Sequence, residues 1–373
     1  MAEYYRDIFS NRGHGHQQRR SKSVWSILAD WAMYLVSVVL VCATVIIVVL
    51  HYTPPQHAWN LPVLTLFAPI VYMLDVATML YWIIRWQWRN TLCMGLFVLL
   101  ATIYLPLYCK IDLVRQYDTK YVERNFTKVV TYNIANGNDT TMVDYVRRLR
   151  PDIVCLQEFL SDAAEKWKAL GAEYHSTVST DNVFSCEIFS KHRIIRQGAI
   201  DSLDRYSAIW ADLRIADDTV RVVSLHLQST SIHHEDTQFI QQHEYLYDDQ
   251  REDKLRSIVS RLADNTRKRA VQVEHICRFI EDTPYKMIVC GDFNDVPLSY
   301  AYHRIADGLD DTFSRMGRGY SYTFNGYFRL LRIDYTLVSP EIETISYESD
   351  NTVAYSDHYP VITRLKINKQ KKL

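Results

Sequence analysis

The sequence predicts an α/β domain carried behind a group of membrane-spanning helices, and three features predict it. Apolar segments long enough to cross a bilayer crowd the first 110 residues. Beyond about Gln116 the apolar runs shorten to strand length and alternate with helical patterns. Polar residues close those strand-like runs at five places, most plainly in Met287-Ile288-Val289-Cys290-Gly291-Asp292-Phe293-Asn294-Asp295. There an apolar run delivers a Gly turn, then a carboxylate, an amide and a second carboxylate. Such an arrangement holds polar groups rigidly at the rim of a sheet.

The chain has 373 residues, room for one large domain and a smaller unit. Its 42 Lys and Arg nearly balance 43 Asp and Glu, so overall charge argues against a dedicated polyanion binder. Seven cysteines form no CxxC pair and no Cys/His zinc spacing. Cys155 and Cys290 fall inside apolar runs, where Cys acts as a small core residue. No disulfide framework is expected.

Residues 1–23 are polar and basic, with Arg19, Arg20 and Lys22 at their end. Residues 24–50 are almost wholly apolar, and about 20 such residues span a bilayer as a helix. His51 to Asn60, with Pro54 and Pro55, breaks the run. Apolar segments at 61–84 and 91–109 follow, so residues 24–110 are expected to form three transmembrane helices. A cleaved signal peptide fits the first segment badly, because its run is too long and two more follow. Arg85 and Arg89 separate the second and third segments, whereas the loop between the first and second has no Lys or Arg. The positive-inside rule then places the N-terminus in the cytoplasm and everything after the third helix on the periplasmic or cell-surface side. Lys110, Arg115, Lys120 and Arg124 oppose this mildly. Trp82, Trp86 and Trp88 suit an interfacial belt. Asp30 and Asp75 flag function within the spans, though pairing with another helix is the simpler reading.

Residues 116–368 carry the soluble domain. Strands are expected at 128–134, 152–157, 174–178, 183–190, 193–199, 207–214, 220–227, 332–338 and 360–367, besides the run opening 287–295. Helices are expected at 138–150, stopped by Pro151, at 161–170, closed by Gly171, and at 253–281. Residues 229–254 form a polar, His- and Gln-rich loop, long enough to be a functional or mobile segment that shapes substrate access. Residues 308–325 are turn-rich, and the Lys-rich 369–372 reads as a solvated tail.

Five clusters lie at or just after strand ends: Asn133; Glu158; His226; Asp292 with Asn294; and Asp334 with Asp357 and His358. Each alone has a plain explanation. Asn133 could cap a turn, Glu158 could be a solvated acid, His226 a satisfied core histidine, and Asp292 to Asp295 turn chemistry. Asp334 inside an apolar strand needs a partner, and His358 beside Asp357 offers one. Their coincidence favours one site. Oxygen ligands abound and soft ligands are absent, which suits Mg²⁺ or Mn²⁺ over Zn²⁺. Two imidazoles and two amides can hold phosphoryl oxygens, and an Asp can orient an attacking water. That is the inventory for hydrolysing a phosphate ester.

The motifs Thr131-Tyr132-Asn133-Ile134, Asp152-Ile153-Val154-Cys155-Leu156-Gln157-Glu158, Ser224-Leu225-His226-Leu227, Gly291-Asp292-Phe293-Asn294, Arg332-Ile333-Asp334-Tyr335 and Ser356-Asp357-His358-Tyr359-Pro360-Val361 stand in this order. Together they resemble the endonuclease/exonuclease/phosphatase superfamily, which includes pancreatic deoxyribonuclease, abasic-site endonucleases, neutral sphingomyelinases and inositol polyphosphate 5-phosphatases. The resemblance covers about residues 127–366. It implies a four-layer α/β sandwich, two central sheets flanked by helices. It implies a metal site of Glu158, assisted by Asn133 and Asp357. Asp292 would position or deprotonate the water, Asn294 and His226 would contact the phosphate, and His358, oriented by Asp334, would stabilise the developing charge or move a proton. In Ile188-Phe189-Ser190-Lys191-His192-Arg193 the sequence departs from relatives, with Arg193 where many carry Pro.

The expected function is thus a membrane-anchored, Mg²⁺-dependent phosphodiesterase or phosphatase. Nucleic acid, a phospholipid headgroup or an inositol phosphate are the candidate substrates, and no obligate protein partner is implied. The alternatives are a non-catalytic membrane scaffold retaining the fold, and a small transporter or channel keyed to Asp30 and Asp75. The sequons at Asn125 and Asn138 matter only in a glycosylating host.

Overall fold

The computed structural model describes residues 23–111, 126–135, 137, 139–160, 164–177, 186–203, 206–230, 239, 251–326 and 329–367. The basic residues 1–22, the cations Arg115, Lys120 and Arg124, both sequon asparagines, most of the 229–254 loop and the Lys-rich tail lie outside them.

A nearly continuous apolar run makes the first helix, α1 (Val24–Tyr52), 29 residues long. Pro54 and Pro55 end it, and 3₁₀ turns at Pro55–His57 and Leu61–Phe67 lead into α2 (Ala68–Ile84). Among the described residues two stretches, Val24–Tyr52 and Leu61–Ile84, are long and apolar enough to cross a membrane. The third expected span is a helix of only 15 residues, α3 (Trp88–Thr102), below the about 20 that a bilayer requires. All three leave large apolar side chains exposed, among them Trp25, Leu35, Val39, Leu80, Leu92 and Leu96. Contiguous exposure of this kind marks a surface meant for a membrane or another protein. Asp30 binds Arg85, Gln87 and Tyr81, and buried Asp75 accepts from Thr44 Oγ1 at 2.6 Å. Both acids are thus tied across helices.

The chain then forms β1 (Cys109–Lys110), β2 (Thr127–Asn133), α4 (Thr140–Leu149), β3 (Ile153–Gln157), α5 (Ala164–Trp167), β4 (His175–Ser176), β5 (Cys186–Ser190), β6 (Arg193–Leu203), β7 (Tyr206–Ile215) and β8 (Asp218–His226). There follow α6 (Arg251–Glu281), β9 (Lys286–Asp292), α7 (Tyr300–Ala306), β10 (Asp310–Asp311), α8 (Thr312–Met316), β11 (Gly319–Tyr320), β12 (Asp334–Val338), β13 (Ile342–Ser349) and β14 (Val361–Ile367). One six-stranded sheet runs β13-β14-β2-β3-β5-β4 and the other β10-β12-β9-β8-β7-β6. Both are mixed, with β2 parallel to β3 and β8 parallel to β9.

Alternation along each strand sends successive side chains to opposite faces. Val129, Cys155 and Ile188 meet Val222, Ile288 and Cys290 between the sheets. Outside the first sheet, Val143 and Val146 of α4 cover Tyr132 and Leu156. Outside the second, Val273 and Ile276 of α6 and Ile305 of α7 cover Leu225 and Val289. Helix, sheet, sheet, helix is the four-layer order expected. The cysteines at 155, 186, 277 and 290 are buried thiols, not joined in disulfides.

The helical segment is packed onto this sandwich. Ile47, Ala68 and Tyr108 bury Leu298. Strand β1 pairs with β11. Arg332 donates to Leu107 O at 2.9 Å and Arg267 to Trp59 O at 2.6 Å.

Candidate active site

Sheet register delivers the polar residues to one edge. Asn133 ends β2, and Glu158 directly follows β3. His226 ends β8 beside Asp292 at the end of β9, and Asp334, the first residue of β12, also lies opposite Asp292. A bridge between Phe324 and His358 brings the segment before β14 to the same place. Gly291 makes the approach of β8 and β9 possible. Its φ is +138°, and a Cβ there would lie 2.0 Å from Leu225 O. Glu158, Asn294 and Ala135 take positive φ of 53°, 51° and 47°, a backbone cost that clusters at functional sites.

Seven of the eight expected residues interlock. Asn133 Nδ2 donates to Asp292 Oδ2 at 2.9 Å and to Glu158 Oε1 at 3.1 Å, while its Oδ1 accepts from Ala135 N at 3.0 Å. Asp292 Oδ1 accepts from Asn294 N at 2.7 Å and its Oδ2 from Asn294 Nδ2 at 3.1 Å. The same amide nitrogen donates to Leu227 O at 3.0 Å, so both its hydrogens are engaged. His226 Nε2 lies 3.7 Å from Glu158 Oε1 and 3.8 Å from Asp292 Oδ2. His358 Nδ1 meets Asp334 Oδ2 at 2.9 Å, and its Nε2 lies 3.7 Å from Asp292 Oδ2. Asp357 is exposed at the rim and joins the set through Ser356, whose Oγ donates to Asp357 Oδ1 at 3.3 Å, while the Asp357 backbone oxygen accepts from Asn325 N at 2.7 Å.

Burial sets the charges. It pushes the Asp292 carboxyl up to about 6, with Asp334 adding to the rise and the two imidazoles opposing it. It lowers His226, against the pull of Asp292. For His358 burial alone would lower the imidazole, but Asp334 and Asp292 outweigh it and hold it at about 10. The site therefore carries an imidazolium wedged between two buried carboxylates.

The donor set fits a hard divalent cation at the rim. Glu158, its side chain 30% exposed, and exposed Asp357 present carboxylates to solvent at one edge. A Mg²⁺ ion that keeps several waters needs little more. Asp334 Oδ1 is a further buried acceptor with no hydrogen-bond partner. The tightest cluster of ligand types, Asp292, Asp334 and His358 within 4.8 Å, is a weaker candidate, since a protonated His358 has no lone pair to give. Asn133 turns its amide nitrogen to the carboxylates and acts on them as a donor. Its oxygen would face a cation only with the amide reversed.

Some of the machinery was not expected. Arg269, on α6 and buried, donates to Asp295 Oδ2 at 3.1 Å and to Gln228 O at 2.7 Å, while Gln272 accepts from Gln228 N at 2.8 Å. One helix face thus clamps the segments that follow His226 and Asn294. The signal was there in an Arg and a Gln three residues apart, next to core-facing Val273 and Ile276. Ser356 Oγ likewise ties Asn133 O (2.8 Å) to His358 N (3.1 Å).

Residues 30–107 match a domain of unknown function (DUF8431). No curated protein matches the chain. Among solved structures, D. rerio TDP2 complexed with a single-strand DNA product is 14% identical with a TM-score of 0.48, covering 65% of this chain and 99% of that one. An endonuclease/exonuclease/phosphatase from Bacteroides vulgatus is 16% identical at a TM-score of 0.47, over 66% of this chain and all (100%) of that one. A mannosyl-6-phosphatase of Bacteroides thetaiotaomicron is 16% identical at 0.45, over 64% and 99%. Residues 130–358, more than half of the chain, match the Endonuclease/Exonuclease/phosphatase family model, and the protein belongs to that family.

Proposed function

We propose that this protein is a membrane-held phosphoesterase, a phosphodiesterase that uses a divalent cation and an in-line water attack. The observation that carries the reading is the interlocked set Asn133, Glu158, His226, Asp292, Asn294, Asp334 and His358 at one sheet edge. A non-catalytic scaffold has no physical need to bury two carboxylates around a charged imidazole.

Glu158 with Asp357, joined by Asn133 if its amide reverses, would hold Mg²⁺ or Mn²⁺. When bound, the ion would supply charge to polarise a phosphoryl oxygen. Asp292, pushed up to about 6, is a base matched to neutral pH and takes the proton of the attacking water. Asn294 keeps Asp292 aimed, since both its amide hydrogens are engaged locally. His358 donates from Nε2 to the charge that builds on phosphorus-bound oxygen, with Asp334 fixing its ring through Nδ1. His226 faces the same space from β8.

Helices α1 and α2 would anchor the domain, with the shorter α3 packed beside them and leading back to the sandwich. His51 and Leu107 lie at the sandwich end of the helices, whereas Arg85 pairs with Asp30 near the start of α1. With the basic residues 1–22 read as cytoplasmic from the sequence, the proposed catalytic face would lie outside the cytoplasm, at the end of α1 away from Val24.

The test uses the full chain and bis(p-nitrophenyl) phosphate. Glu158→Ala and His358→Ala should each cut Mg²⁺-dependent hydrolysis by about 10²-fold or more. EDTA should remove it from the parent, and the melting temperature of the Glu158→Ala variant, changed at the half-exposed rim, should hold. Turnover that survives both substitutions would sink the proposal.

A further inference from the structure

Close to the catalytic edge, the helices and the sandwich do not fully meet. They leave a cavity of about 380 Å³, large enough for a small ligand. Its walls come from both parts: Ile47 of α1, Met73 of α2, Ala101 of α3, and Leu298 and Leu330 of the sandwich. Among the described residues, no charged side chain lines it.

Each hydroxyl in its wall already makes a hydrogen bond within the protein. Thr44 donates to Asp75, Tyr72 meets Thr102 at 3.2 Å, and Tyr104 meets Tyr52 at 3.0 Å. Tyr108 accepts from Leu298 N at 3.3 Å, and Tyr320 donates to Leu330 O. Water in such a space finds few partners, so an apolar occupant is favoured. Met73, in the wall, is itself 57% exposed, next to exposed Leu74 on α2. The cavity is thus continuous with the apolar surface that a bilayer would cover, and the apolar matter at hand there is lipid chain.

Its place relative to the catalytic edge follows from chain length. Leu298 is four residues after Asn294, and Leu330 four residues before Asp334. At no more than about 3.6 Å per residue, the backbones of Leu298 and Leu330 lie within about 14 Å of those of Asn294 and Asp334. We infer that the cavity takes one acyl chain of a membrane phospholipid and presents that lipid's phosphodiester to the catalytic edge. The second half rests on the phosphoesterase reading, while the first stands without it.

The full chain is reconstituted in phosphatidylcholine vesicles containing phosphatidylcholine with a diazirine on one acyl chain, irradiated, and mapped by peptide mass spectrometry. Adducts are expected on Leu298, Leu330 or Tyr320, as well as on outward-facing Leu92 and Leu96. Filling the cavity by Ala101→Phe, or from another helix by Val71→Phe, should abolish the first group and keep the second. Adducts confined to the outward-facing residues of the parent protein overturn the acyl site.

A second arm compares turnover of vesicle phosphatidylcholine, phosphatidylethanolamine, phosphatidylserine and phosphatidylinositol with that of bis(p-nitrophenyl) phosphate. In the filled variants the ratio of lipid to soluble-ester turnover should fall at least tenfold. An unchanged ratio, or hydrolysis of the soluble ester with none of the four lipids, overturns the substrate link. Failure of the parent protein to hydrolyse any of these esters tells against the phosphoesterase reading, and the adduct map still decides the acyl site.

Discussion

His358 carries the sharpest consequence at the residue scale. Its charge depends on Asp334 and Asp292, because burial by itself would strip the proton. On the proposed mechanism, activity needs Asp292 as carboxylate and His358 as imidazolium. It should fall as pH drops through about 6 and again as pH rises through about 10, with a bound cation moving the acid limb lower. Asp334→Asn removes the main opponent of burial, so the alkaline limb should move toward neutrality and the maximal rate should drop about 10²-fold. A pH–rate profile on the soluble ester reads both. An unmoved limb would mean that another group sets it. These residues were legible because each closes an apolar run, where a polar side chain has no local reason to sit. The bond between Asp334 and His358 was anticipated, since a carboxylate in an apolar strand requires a partner. What the sequence could not show was that Asn133 offers nitrogen to its neighbours or that Asn294 spends its donors on Asp292. Amide orientation depends on neighbours 159 and 67 positions away.

At the scale of elements, α6 does more than cover the sheet. Arg269 and Asp295 are both buried and paired, so Arg269→Leu leaves a carboxylate without its counter-charge. Breaking one partner of such a pair costs about 3–5 kcal/mol. A lower melting temperature and slower turnover are expected together, because the segments after His226 and Asn294 lose a common clamp. The double change with Asp295→Leu should recover part of the stability and little of the rate. Strand β5 makes a separate prediction. Burial pushes Glu187 up to about 8, although Thr177 donates to it at 2.8 Å. Between its ordinary range and about 8 the folded chain holds a proton that the unfolded chain has released, so stability falls as pH rises through that window. Glu187→Gln should flatten this dependence, raising stability near pH 8 by an amount on the order of a few kcal/mol. A melting series from pH 5 to about 9 checks it. Helix α7, helix α8 and strand β13 escaped the sequence reading for physical reasons. Strand β13 is a half-exposed edge strand carrying Glu343 and Glu348, so it shows no apolar run. Helices α7 and α8 are 7 and 5 residues long, too short for a helical period to declare itself.

For the whole molecule, the order of layers was readable because most central strands are continuous apolar runs. The docking of the helices onto the sandwich was not, since it depends on single side chains far apart in sequence. That docking alters what truncation should do. If the helices were a tether alone, removing everything before residue 112 would leave an intact domain. The contacts argue otherwise. The cut removes β1 and leaves β11 unpaired, takes away the Leu107 carbonyl from Arg332, and uncovers Leu298 where Tyr108, Ile47 and Ala68 had packed. It also removes Val63 and Leu66 from beside Ile258 and Leu262. At roughly 1.5–3 kcal/mol for each apolar side chain returned to water, the loss is a large share of a domain's margin. Arg332 lies two residues before Asp334, so the damage should reach the site. In one detergent buffer the truncated chain should melt well below the full chain and elute as aggregate, with reduced turnover of the soluble ester. A monomeric remainder with undiminished rate and melting temperature would show that the helices only tether, and that the packing between them and the sandwich carries no stability.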